Sequence, residues 1–98
     1  MTINKQRNGT ALTLAPVGRL DTTTASELEK EVRTGLDGVT ELTMDFAGLE
    51  YISSAGLRVL LVAQKAMSRQ GTMKVIHVSE MVMEVLEVTG FSDILTIE

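Results

Sequence analysis

Apolar positions along this chain change their period several times, and each change marks an element. Near the start, Leu12 and Leu14 alternate with Ala11 and Thr13, the period of two expected where one face of a strand is buried. Asn8-Gly9 just before them is a hairpin signal. Two strands are therefore predicted, over TINKQRN and TALTLAPVG. In DTTTASELEKEVRTGL the period lengthens: Ala25, Leu28, Val32 and Leu36 share one helical face, and Thr24 and Glu27 have capping-box spacing. That helix is predicted to end near Gly35. Alternation returns in ELTMDF, where Leu42, Met44 and Phe46 oppose Thr43 and Asp45.

From the stretch YISSAGLRVLL a second helix is predicted through about Gln70, with Gly71 as its stop. MKVIHV follows as a strand rich in β-branched residues. Ser79 is placed to cap a last helix in which Val82, Val85, Leu86 and Thr89 share a face, and Gly90 with Phe91 has the form of a Schellman ending. ILTI is predicted as a closing strand.

Strands joined through single helices imply right-handed crossovers and parallel pairing, here after an antiparallel hairpin. The fold class expected is α/β, with a mixed sheet. In such sheets the loops leaving the carboxyl ends of the strands gather on one edge, where binding and chemistry concentrate. Three loops are expected to meet there: Gly18 to Thr24, Gly48 to Ser54, and Val78 to Glu80.

Composition narrows the function. With 98 residues, 44% hydrophobic and 22% charged, the chain has room for one domain spanning residues 1–98. It has no cysteine and one histidine, which removes disulfides, thiolate metal sites and thiol catalysis and makes a histidine metal site improbable. A net charge of −4 argues against nucleic acid as the main partner, because phosphate contacts need a basic patch. The longest apolar run, Val59 to Ala63, is far short of the ~20 residues of a membrane span, so no membrane insertion is expected. The polar start MTINKQRNGT does not read as a signal peptide, and a cytoplasmic location is the expectation.

The serines of YISSAGLRVLL raise the question of chemistry. A nucleophile elbow needs glycines on both sides of the serine, and none precedes Ser54 closely. Serine hydrolysis would also need His77, the one histidine, as base; that enzyme reading is remote. Neither a Walker loop nor G-x-G-x-x-G occurs. Ser53 or Ser54 can instead cap the helix that follows. Gly56 in a first helical turn is unfavourable unless another surface approaches closely. Beyond it, Arg58, Lys65 and Arg69 form a stripe with Val62 beside them, opposite a core side made of Leu57, Leu60, Leu61, Ala63 and Met67. A basic, partly apolar helix face on an acidic protein is either solvated or a docking surface for another protein.

Three segments, GRLDTTTASEL, LTMDFAGLEYISSAGLRVLL and VLEVTGFSDIL, together resemble the STAS domain of bacterial anti-sigma factor antagonists, in order and spacing, over nearly the whole chain. The resemblance implies helices packed mainly on one face of the sheet and a regulator, not an enzyme. Such proteins bind an anti-sigma factor that is also a GHKL-type serine kinase, and so release the sigma factor. Phosphorylation of one serine ends that binding, and a PP2C-type phosphatase restores it. ATP and magnesium then belong to the kinase, and no cofactor is expected in this chain. By position the phosphoacceptor is Ser54, two residues before the motif glycine. Ser53, the less favoured acceptor, stands where the family commonly has aspartate. Asp21 matches the aspartate of the family's Gly-x-Leu-Asp loop. Partner contact is therefore expected from Asp21, Thr22, Ser53, Ser54, Gly56, Arg58, Val62 and Lys65. The alternative within the same fold is a STAS subunit that docks on a transporter or lipid-trafficking complex, or binds a small ligand, without phosphorylation.

Overall fold

A computed structural model describes residues 1–98. Strands β1 (Thr2–Asn8) and β2 (Ala11–Leu20) form the expected hairpin. They are followed by α1 (Ala25–Gly35), β3 (Glu41–Asp45), β4 (Leu49–Ile52), α2 (Ser54–Ser68), β5 (Thr72–Ile76) and α3 (Glu80–Val88). The sheet runs β1-β2-β3-β5, with β1 antiparallel and the others parallel. This is the mixed α/β sheet that the alternation of periods predicts.

Period two puts Leu12 and Leu14 of β2, Leu42 and Met44 of β3, and Met73 and Val75 of β5 on one face, all buried. Helices α1 and α2 close that face with Leu28, Val32, Leu60, Ala63 and Met67. The opposite face carries the row Gln6, Thr13, Thr43 and Lys74 across four paired strands, polar as expected of a face left to water. Leu61, expected among the core residues of α2, is only half-buried, at the margin of the helix's packed side.

Three local expectations change. The stretch from Gly48 to Ser54, read as a loop, is mostly strand β4. Because β2 overhangs β3, its last residues Gly18–Leu20 are free to pair with Leu49, Tyr51 and Ile52. The C-terminal ILTI is not a strand: after Gly90 the chain makes a 3-10 turn, Phe91–Asp93, and only Ile97 bridges to Val75. Gly90 is left-handed (φ 82°) and its amide donates to the Glu87 carbonyl, so the helix ends where expected. Finally, Thr24 does not cap α1 with its side chain. Its hydroxyl donates to the Arg19 carbonyl at 2.6 Å, and the capping falls to Asp21.

Candidate functional site

The site grows from the point where β4 hands over to α2. Leu20 pairs with Ile52, and the Ser53 amide donates to the Leu20 carbonyl at 2.9 Å. That bond fixes Ser53 in an extended conformation (φ −99°, ψ 176°), the geometry of an N-cap. Its hydroxyl accepts from the Gly56 amide at 3.4 Å and its carbonyl from the Leu57 amide at 2.9 Å. Ser54 is the first residue of α2 and is exposed. Capping is thus done by Ser53, and the Ser54 hydroxyl points into no hydrogen bond of the chain.

Gly56 has a different reason from the one its sequence context suggests. The residue is buried, and a Cβ there would lie 2.8 Å from Leu20 Cγ and 2.9 Å from Ile52 Cγ1. The surface that comes close belongs to the protein itself. Gly56 thus seats the first turn of α2 against the ends of β2 and β4.

Across the same edge, Asp21 organises the start of α1. Its Oδ1 accepts from the Thr23 amide at 3.0 Å, the Thr24 amide at 3.1 Å and the Thr24 hydroxyl at 3.2 Å. The Thr24 amide above all, with the Thr24 hydroxyl and the Thr23 amide, holds the Asp21 carboxyl below its ordinary range against the opposing effect of desolvation. Thr22, at the tip, is exposed. Beside them Arg19 stacks its guanidinium 4.3 Å from the centre of the Tyr51 ring, a cation–π contact between β2 and β4 that the sequence does not signal.

From Ser54 the exposed side of α2 continues through Arg58, Lys65 and Arg69, with Val62 half-buried next to them. The ion pairs of the chain are Lys5–Glu31, Arg33–Glu29, Lys74–Glu98 and His77–Asp45, so these three cations stand unpaired. His77 takes a left-handed conformation (φ 56°) and places Nδ1 2.9 Å from Asp45 Oδ1. That contact, together with the Ala47 amide, lowers the Asp45 carboxyl's pKa. The histidine thus engages Asp45 at the end of β3 and hydrogen-bonds to neither serine. The structure brings together Asp21, Ser53 and Ser54 at one edge, with Thr22 beside them. Arg58, Val62 and Lys65 extend from that edge along α2.

The family described as "Mlab, STAS domain" matches residues 1–96. The Bordetella bronchiseptica protein BtrV, which bears the name of an anti-sigma factor antagonist, is 39% identical over 79 residues, covering 79% of this chain and 68% of that protein. In fold, the chain superposes on an anti-sigma factor antagonist from Mycobacterium paratuberculosis with a TM-score of 0.87 at 18% identity, over 98% of this chain and 83% of the other. The phosphorylated form of the Bacillus cell fate determinant SpoIIAA gives 0.77 at 15% identity, over 99% and 91%.

Proposed function

The chain belongs to the STAS domain family of anti-sigma factor antagonists, and from that footing we propose that it is a docking module switched by phosphorylation of Ser54. Unphosphorylated, it binds an anti-sigma factor that is also a GHKL-type serine kinase, and the sigma factor is released. Phosphate on Ser54 ends the complex, and a PP2C-type phosphatase restores it. The observation that carries this reading is the division of labour between the two serines. Ser53 is engaged as the helix cap, whereas Ser54 is exposed with a free hydroxyl. A kinase can therefore take Ser54 without uncapping α2. That a fold relative is known in a phosphorylated form supports it.

A phosphoserine adds about −1.5 to −2 charges. A helix N-terminus accommodates that charge locally, so the fold survives and the effect falls on the partner. In a docking patch that includes Asp21 and the α2 stripe, a dianion removes contacts and introduces repulsion and desolvation cost. The test is to incubate the full chain with ATP and the kinase encoded beside it and to locate phosphate by mass spectrometry. Phosphate is expected on Ser54. Ser54→Ala is expected to keep partner binding and Ser54→Asp to weaken it about ten-fold or more, which is ~1.4 kcal/mol. Equal binding by both variants counts against the switch. No phosphate on Ser54 with any cognate kinase sinks it, and favours docking on a transporter or lipid-trafficking complex without modification.

A further inference from the structure

We propose that Arg58 is the intramolecular counter-ion of the Ser54 phosphate, an inference that rests on Ser54 being the acceptor. Ser54 and Arg58 lie four residues apart on α2, the spacing at which helical side chains are neighbours. Side chains on a helix lean toward its N-terminus, so Arg58 is directed back over the turn that holds Ser54. Its guanidinium is exposed and takes part in no ion pair of the chain. No acidic residue occupies the first turn of α2 to compete for it. The next cation on the helix, Lys65, is eleven residues beyond Ser54, about 16 Å along the axis and out of reach.

A guanidinium meets phosphate oxygens through two parallel N–H donors, a match that an ammonium does not reproduce. The remaining charged groups on the elements that meet at this edge are Arg19 near the end of β2, Asp21 just after it, Glu27 in the first turn of α1, Glu50 on β4, and Glu80, Glu84 and Glu87 on α3, which packs against β4. Asp21 already gives Oδ1 to Thr23 and Thr24, and Arg19 is stacked on Tyr51. Arg58 is the free cation within reach. Phosphorylation then does two things at once: it adds negative charge at the helix start and it withdraws Arg58 from the basic stripe that faces the partner.

The experiment is a phosphorus NMR titration of the full chain carrying phosphoserine at position 54, installed during synthesis so that no kinase is needed. Wild type is compared with Arg58→Gln and Arg58→Lys. The second ionisation of the phosphate is expected at lower pH in wild type than in Arg58→Gln, by about 0.3 unit or more, because the guanidinium favours the dianion. Arg58→Lys is expected in between, and the difference is expected to shrink in molar salt. The same midpoint in wild type and Arg58→Gln overturns the pairing. Failure of a kinase to modify Ser54 would overturn the switch and leave this ion-pair result standing, so the two ideas fail separately.

Discussion

At Ser53 a hydroxyl does the structural work that the usual aspartate of this motif would do. Serine and aspartate are equally good N-caps, because each offers an oxygen to the amides of the first turn. Ser53→Ala is therefore expected to cost about 0.5–1 kcal/mol in urea unfolding. Ser53→Asp is expected to match wild type or exceed it slightly at low ionic strength, since a carboxylate also favours the positive end of the helix. An unchanged stability in Ser53→Ala would show that Ser53 is not the cap. The two carboxyls with lowered pKa, Asp21 and Asp45, set a second expectation. A carboxyl that is more acidic folded than unfolded contributes stability above its unfolded pKa, near 3.9, and that contribution is lost as pH falls through the lower folded value. Stability should therefore drop below about pH 4, and less steeply in Asp21→Asn. An acid limb unchanged by that substitution would remove Asp21 from the account.

Among the elements, α2 is seated by glycines at both ends, for reasons of contact. A Cβ on Gly71 would overlap the Thr40 carbonyl oxygen, a backbone atom, whereas at Gly56 it would meet the side chains of Leu20 and Ile52. Alanine raises helix propensity by up to ~1 kcal/mol, yet overpacking of this kind costs typically 1–3 kcal/mol and more where backbone must move. Both Gly56→Ala and Gly71→Ala are expected to destabilise, Gly71→Ala more, in denaturant unfolding; stabilisation by Gly56→Ala would mean that α2 sits further from Leu20 and Ile52, and by Gly71→Ala that this turn sits further from Thr40. These contacts explain what the sequence made legible. Strands β2, β3 and β5 and all three helices follow from local period, and the cap of α3 at Ser79 from its residue type, whereas the cap of α2 is narrowed only to Ser53 or Ser54 until the structure assigns it to Ser53. Strand β4 does not, because its four residues become a strand only where β2 overhangs β3. Likewise, ILTI alternates as a strand should, but the turn at Phe91–Asp93 leaves a single bridge to β5, Ile97 beside Val75, whose amide donates to the Thr96 carbonyl and whose carbonyl accepts from the Glu98 amide. The cap of α1 was hidden in DTTT, where Asp21, not the threonine at capping-box spacing, receives the amides.

For the molecule as a whole, a net charge of −4 conceals a division of sign. Arg58, Lys65 and Arg69 gather unpaired along α2, while Glu80, Glu84 and Glu87 lie exposed on α3 beside Met81 and Val88, which are 63% and 81% exposed. If the partner docks on α2, the stripe steers an acidic surface toward it, and steering acts on the association rate more than on the lifetime of the complex. Wild-type association should slow as salt is raised, since exposed charges are screened over about 10 Å at 0.1 M ionic strength. Reversing the distal charges, with Lys65→Glu and Arg69→Glu together, should slow association at least several-fold at low salt and flatten that dependence, leaving dissociation nearly unchanged. Stopped-flow mixing with the anti-sigma factor reads both rates. An association rate and salt dependence untouched by the reversal would move the docking face away from α2, and the exposed Met81 and Val88 of α3 would be the next place to substitute.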